Sequence, residues 1–373
     1  MLRILALEPY YGGSHKAFLD GYAAHTRHSL EPLTMPARKW KWRMRGAALT
    51  MHEQLRARRG AFDAVLASDY VDLAALAGMT PPVLEGVPRV AYFHENQLTY
   101  PLPSEDERDY QFGFTNITTC LAADRVLFNS RYHLESFLRG VEQLLRRMPD
   151  YVPYWAPEAI RARAEVVPVG VDLATIDANR ARATPRTGPL TVVWNHRWEY
   201  DKGAQMFFEI MMELQDEGRE FGLVVTGQRF RTAPPVFEEA TRRLAPRMKN
   251  FGYVESRDDY CKHLLDSDVV VSTAVQEFFG ISVVEAVYAG CVALLPKGLS
   301  YPELMPEKYH AACLYEGRED LKARLARCMD HPEEARALDL SDLSAEMRRF
   351  GWDEVAPALD SAIERACRGG ADA

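Results

Sequence analysis

Two glutamates eight residues apart, Glu277 and Glu285, flank a Phe278-Phe279-Gly280 turn. Both are acceptors of hydrogen bonds at neutral pH, and a glycine turn between them suits the point where a strand ends and a helix begins. The preceding run, Asp268 to Ser272, reads as a short buried strand, and Val283 to Gly290 reads as a helix with a small-residue face. In open α/β sheets ligands bind at the carboxyl ends of strands, and a helix N-terminus attracts phosphate. Glu277 in the loop could therefore accept from sugar hydroxyls, while Glu285, one to two turns into the helix, could take both hydroxyls of a ribose. A plainer reading stays open, in which two surface acids border an ordinary strand, turn and amphipathic helix.

A second strand end lies upstream, where Leu190 to Trp194 runs into Asn195-His196-Arg197-Trp198-Glu199-Tyr200-Asp201-Lys202-Gly203. Arg197 offers a planar fork and Lys202 a compact charge, a pair suited to the two phosphates of a nucleoside diphosphate. Alternatively, Arg197 pairs with Glu199 or Asp201 in a solvated loop. The first half of the chain adds three reactive-looking stretches. Glu8 to Lys16 contains Gly12 and Gly13, which let a ligand approach the backbone, and Ser14, a candidate helix cap. It is not the GxGxxG pattern of dinucleotide enzymes. His94, at the end of the run Arg89 to Phe93, could hydrogen-bond a sugar hydroxyl or contact an anomeric centre; it could equally be structural. Arg38, Lys39, Trp40, Lys41, Trp42, Arg43 and Arg45 interleave five basic residues with two indoles. Such a segment could track phosphates while an indole stacks on an unpaired base, or could be an amphipathic element with its tryptophans packed down.

What must position these residues is an alternation of strand and helix. Strand-like runs fall at 2–7, 30–35, 64–67, 89–93, 125–128 and 164–167. After a linker from about Asp172 to Pro189 they resume at 190–194, 221–225, 250–252, 269–272, 292–295 and 312–314. This is the signature of parallel α/β layers, and 373 residues are enough for two such domains. A composition of 47% hydrophobic and 26% charged residues excludes a disordered chain. No apolar run approaches the ~20 residues of a membrane span, and Met1 to Leu7 runs directly into Glu8 without a secretory pattern, which makes the cytoplasm the expected compartment. The six cysteines have no CxxC spacing, so buried free thiols are expected, not a disulfide framework or zinc site. A net charge of −8 argues against nucleic-acid binding by the whole surface but leaves the local basic segment open. Near the C-terminus, Val355, Leu359 and Ile363 mark one face of a helix, with Asp353 a candidate cap.

The strings EPYYGGSHK, PARKWKWRMR, YFHENQLTYP, RDYQFGF, NHRWEYDKG and QEFFGISVVEAVYAG resemble retaining glycosyltransferases of family 4. Within that family they resemble the subgroup that includes the tRNA-queuosine mannosyltransferases. The likeness covers nearly the whole chain. Phe278 stands where most family 4 members carry glycine, a variant in keeping with the subgroup. The resemblance implies a GT-B fold, α/β, with two Rossmann-like domains facing a cleft. The expected domains are an acceptor-side domain over 1–178, a nucleotide-sugar domain over 179–350, and a helix over 351–373 returning to the first. It implies a GDP-mannose donor, retention of the α-anomer, no metal or other cofactor, and queuosine at the tRNA wobble position as acceptor. On that pattern Arg197 and Lys202 hold the diphosphate, Glu285 the ribose and Glu277 the mannose hydroxyls. Phe279 and Gly280 border the donor, His94 lines the reaction centre, and Gly12 and Gly13 bring N–H groups near the phosphates. Residues 38 to 45 face the acceptor. Two other functions remain compatible with the residues: a family 4 transferase with a small-molecule or glycan acceptor, and a nucleotide-sugar or RNA-binding protein without turnover.

Overall fold

A computed structural model describes residues 1–101, 108–229, 234–338 and 341–369. The chain forms two compact units, Met1–Gly170 with Trp352–Ala373, and Val171–Gly351. The sheet of the first unit contains β1 (Arg3–Tyr11), β2 (Ser29–Pro36), β3 (Ala64–Ser68), β4 (Arg89–Phe93), β5 (Arg125–Phe128) and β6 (Ala164–Val166), in the order β2-β1-β3-β4-β5-β6. The second contains β7 (Leu190–Trp194), β8 (Phe221–Thr226), β9 (Met248–Gly252), β10 (Val269–Val271), β11 (Val292–Pro296) and β12 (Leu314–Tyr315), in the order β12-β11-β10-β7-β8-β9. All pairings are parallel. The central strands β3, β7 and β8 are buried along their whole length, as expected of parallel strands covered by helices on both faces.

Each sheet reverses its winding once. In the first unit β1 and β3 are neighbours while the chain between them leaves to form β2; in the second, β7 and β10 are neighbours and β8 and β9 lie beyond. The loops that leave such a pair of strands diverge to opposite faces, and the crevice outside their carboxyl ends is where α/β sheets bind ligands. Leu7 is registered on Ala67, and Val193 on Val270. The segments that follow β1 and β3, and those that follow β7 and β10, are therefore brought together across sequence.

The stretch read as a linker is built into the second unit. A helix spans Ala174–Asn179, Asn179 donates to Asp258 at 2.8 Å, and Arg186 donates to the carbonyls of Leu265, Ala289 and Gly290. Its arginines cap the carbonyl ends of neighbouring helices, which composition alone did not indicate. The C-terminal helix, Trp352–Gly369, packs in the first unit: Tyr22 donates to Asp360 at 2.7 Å, and Arg27 pairs with Glu364 at 2.6 Å. Val355, Leu359 and Ile363 are fully buried on one face, while Asp353 lies inside the first turn and not at the cap. No helix among the described residues is long and apolar enough to cross a membrane. All six cysteines are free.

Candidate functional site

In the second unit the switch point joins the two motifs. Gly203, in the left-handed region at φ 62°, lets the loop after β7 press on the loop after β10; a Cβ there would lie 2.0 Å from the Thr273 carbonyl oxygen. That contact sets Lys202, buried at 7% exposure, against the second loop. Its ammonium donates to Glu277 at 3.1 Å and to the Gln276 carbonyl at 3.1 Å, and pairs with Asp201 at 2.9 Å. Two of its protons are thereby placed, and Asp201 Oδ2 stands beside it as a counter-charge without a hydrogen bond among the described residues. Burial disfavours its charge, but Glu277 and Asp201 outweigh burial and hold its pKa above the ordinary lysine value.

Gly280, at φ 110°, turns the chain into the helix Ile281–Tyr288, and Phe279 packs edge-on against Phe350 at 5.3 Å. Glu285 lies in the second turn of that helix and is buried. One carboxylate oxygen accepts from Arg257 at 2.6 Å and the other from the Tyr260 hydroxyl at 2.7 Å. Burial disfavours the guanidinium of Arg257, yet Glu285 more than compensates and raises its pKa. Asn195, at the end of β7, donates to Tyr260 at 3.0 Å and to the Ser282 carbonyl at 2.8 Å. Burial, helped by Lys202, pulls His196 down to about 4, which keeps the ring neutral. Asn195 Oδ1 and His196 Nε2 are buried polar atoms without a hydrogen-bond partner among the described residues. Arg197, by contrast, is exposed and pairs with Glu199 at 3.0 Å, the solvated-loop arrangement.

In the first unit, Gly12 is the cap and Gly13 the first residue of the helix Gly13–His25. Ser14 lies within the helix and does not cap it, because Gly12 already occupies that position with no side-chain bond. The same helix turns His15 inward, where its Nδ1 lies 3.0 Å from Glu8, and its ring is 4.3 Å from that of His94. Burial opposes a charge on His15, but Glu8, Asp69 and Glu95 raise it to about 9. His94 goes the other way: burial and the charge of His15 hold it well below its ordinary value, as a neutral imidazole. Glu8, His15 and His94 each offer a ligand atom within 4.8 Å of the others, a spacing a metal ion could use. Glu8 and His15 meet there as an ion pair at 3.0 Å.

The basic segment starts the helix Trp40–Arg56, preceded by Lys39 at φ 57°. Residues two apart on a helix point to different faces. Accordingly Trp40 packs on Phe112 at 5.3 Å, with Met44 fully buried beneath, while Trp42 is 63% exposed. The two indoles therefore have different surroundings, Trp40 against Phe112 and Trp42 in solvent. Arg38, Lys39, Lys41 and Arg45 are exposed, Arg43 is half-buried and donates to the Pro36 carbonyl, and Arg45 lies 3.7 Å from Asp109.

Residues 3–171 match the family described as tRNA-queuosine alpha-mannosyltransferase N-terminal, and residues 175–340 match glycosyl transferases group 1. A tRNA-queuosine alpha-mannosyltransferase of Drosophila melanogaster is 36% identical over 312 residues, which is 82% of each chain. The chain belongs to the tRNA-queuosine alpha-mannosyltransferase family. It is a glycosyltransferase. Among solved structures, sucrose-phosphate synthase from Thermosynechococcus elongatus aligns with a TM-score of 0.72 at 14% identity, over 99% of this chain and 100% of that one. Anabaena HepE in complex with UDP and glucose aligns with a TM-score of 0.67 at 15% identity, over 98% and 100%. At such identities these two carry the fold, GT-B, and nothing finer.

In this family member the residues that sequence reasoning passed over are the ones that hold the others. Arg257 and Tyr260 come from the helix Arg257–Leu265, and only the packing of that helix on Ile281–Tyr288 reveals them as the partners of Glu285. Asn195 and His196 stood inside the quoted loop, and their place directly after a strand was the available signal. Asp201 adjoins Lys202 and Glu95 adjoins His94, Glu8 and His15 lie in the stretch Glu8 to Lys16, and Asp69 follows the strand-like run 64–67 with no signal of its own.

Proposed function

We propose that this enzyme transfers mannose from GDP-mannose to queuosine in tRNA with retention of the α-anomer, the second unit taking the donor and the first the acceptor. The observation that carries the donor half is the Lys202–Glu277 contact of 3.1 Å at the β7/β10 switch point, beside a helix N-terminus. A diphosphate reaching Lys202 would exchange for one of the oxygens that already hold it. If that oxygen is Glu277's, the same exchange releases Glu277 to accept from the sugar hydroxyls. Glu285 is pre-oriented by Arg257 and Tyr260, and each of its oxygens keeps a second lone pair for a ribose hydroxyl. Arg197 supplies a further charge for the phosphates from the loop's exposed side.

In the reaction the acceptor oxygen attacks the anomeric carbon as the bond to the β-phosphate oxygen breaks on the same face, and the departing phosphate takes the acceptor's proton. Charge grows on that phosphate, and Lys202 with the N–H groups near Gly280 stabilises it. His94, neutral, is suited to a sugar hydroxyl, and Gly12 and Gly13 offer N–H groups at the start of their helix. The reading sets the enzyme in the cytoplasm. Incubation with queuosine-containing tRNA and GDP-mannose should add one hexose to the wobble nucleoside, read by mass spectrometry. Queuosine left unchanged while the protein hydrolyses or binds GDP-mannose would refute the acceptor.

Two further results are expected. Transfer should persist in excess EDTA, because ammonium, guanidinium and backbone donors supply the positive charge; activity lost with chelator and restored by Mn²⁺ would place an ion in the mechanism. Neutralising Arg38, Lys39, Lys41, Arg43 and Arg45 together should raise the KM for tRNA and flatten its salt dependence, since fewer counterions are released, with GDP affinity unchanged. Rates at two salt concentrations, with circular dichroism to confirm folding, decide it, and an unchanged salt slope removes the helix from the tRNA interface.

A further inference from the structure

The β1/β3 switch point of the first unit gathers three acids, Glu8, Asp69 and Glu95, that the donor chemistry does not use. Glu8 lies in the buried part of β1, Asp69 follows β3, and Glu95 follows β4 by two residues. Contacts join them: His15 lies 3.0 Å from Glu8 and stacks on Tyr70, whose hydroxyl reaches Glu95, and the backbone N–H of His94 reaches Asp69. Asp69 is 1% exposed. Its Oδ1 accepts from the backbone N–H of His94 at 2.9 Å, and its Oδ2 has no hydrogen-bond partner among the described residues. Burial, reinforced by Glu95 and Glu8, pushes its carboxyl up to about 8. Glu95 is half-buried, and the contacts it accepts, from the Tyr70 hydroxyl at 2.6 Å and Gln97 at 3.1 Å, both fall on Oε1.

Aromatic surface borders this cluster. Tyr70 stacks on His15 at 5.0 Å, meets Tyr10 edge-on at 5.4 Å, and lies parallel to Trp40 at 6.4 Å. Tyr10 and Trp40 are half-buried, and Trp40 opens the basic helix. Glu8 is matched by His15 at 3.0 Å and Asp69 is held protonated, so the carboxylate of Glu95 is the charge left over; it repels a diphosphate, and a neutral sugar needs no such charge. The ligand that fits is an organic cation joined to a flat ring.

Queuosine has that chemistry: a secondary amine, protonated at neutral pH, links a 7-deazaguanine base to a cyclopentene diol, whereas unmodified guanosine has no cation. We propose that Glu95 binds the secondary ammonium of queuosine, with Tyr10 and Trp40 beside the base. The cluster thereby discriminates queuosine from guanosine at the same tRNA position. This rests on the acceptor reading above and adds the residues that enforce it.

The test compares binding of queuosine-containing and guanosine-containing tRNA to the wild type and to Glu95→Gln, which keeps the shape and the Tyr70 contact but removes the charge. The wild type should prefer the queuosine form by about tenfold or more, and the variant should bind both alike. Affinity for GDP should stay the same in both, which reports that the variant is folded. As a measurement that no misfolding can confound, the wild type should prefer tRNA carrying 7-aminomethyl-7-deazaguanine over tRNA carrying the neutral 7-cyano analogue. A preference that survives Glu95→Gln, or no preference between the amino and cyano forms, overturns the proposal, as does a preference abolished by EDTA, which would put a metal ion at Glu8, His15 and His94. A wild type that makes no mannosylated queuosine overturns the acceptor reading and this inference with it; one that makes it without the charge preference overturns this inference alone.

Discussion

Lys202→Ala is expected to slow mannosyl transfer by about two to three orders of magnitude, the loss typical of removing one preorganised donor from developing negative charge. GDP affinity should fall by about one to two orders, corresponding to one charge-assisted bond. The size follows from burial. The Lys202 side chain is 9% exposed, so its field is little screened, whereas that of Arg197 is 49% exposed and shared with Glu199. Arg197→Ala should therefore cost GDP affinity clearly less than Lys202→Ala does. The lysine variant also leaves Asp201 and Glu277 without their cation, so a lower melting temperature is expected, and GDP binding is measured by calorimetry below that transition. Equal losses in the two variants, or an unchanged GDP affinity in Lys202→Ala, would remove Lys202 from the phosphate site.

Glu285→Ala and Glu277→Ala should separate by signature. Glu285→Ala removes the acceptor of both Arg257 and Tyr260, so GDP and GDP-mannose should weaken by the same factor, about one to two orders, along with a drop in melting temperature. Breaking a fully buried pair costs about 3–5 kcal/mol; the Arg257 side chain is 39% exposed, so the stability loss should fall well short of that range. Glu277→Ala frees Lys202 of one competing oxygen. GDP affinity should then hold or rise, while transfer falls by about two orders because the sugar loses its acceptor. Parallel calorimetry with GDP and single-turnover transfer read the difference. Weakened GDP binding in Glu277→Ala would contradict the exchange at Lys202.

The arrangement also explains why some of the site was readable in advance. Strands β1 to β11 overlap the runs expected for them, and the central ones do so because a parallel strand covered on both faces must be apolar throughout; of the last run, 312–314, only Leu314 is strand, since Ala312 and Cys313 belong to the helix His310–Cys313. The loops after β7 and β10 were suspected as a pair because strand ends are where polar residues of a buried sheet can meet a ligand. Helical phase was harder. The segment Arg38 to Arg45 alternates base and indole in sequence, yet a helix separates positions two apart, and packing on Phe112 decided that Trp40 turns inward while Trp42 faces water.

Sequence alone determined two parallel α/β layers, the family resemblance, and the placing of Lys202 and Glu277 after strands and of Glu285 on a helix, since each is encoded locally as a strand followed by a polar loop and a helix. Only the tertiary structure decided who holds whom. Strand order made neighbours of β7 and β10, 75 residues apart at Lys202 and Glu277, and of β1 and β3, where Glu8, His15 and Asp69 meet. It also delivered Arg257 and Tyr260 to Glu285 across 28 and 25 residues. Such contacts depend on which strands share hydrogen bonds and which helices cover them. Local propensity and periodicity, which act over a few residues, leave no trace of that choice in the chain.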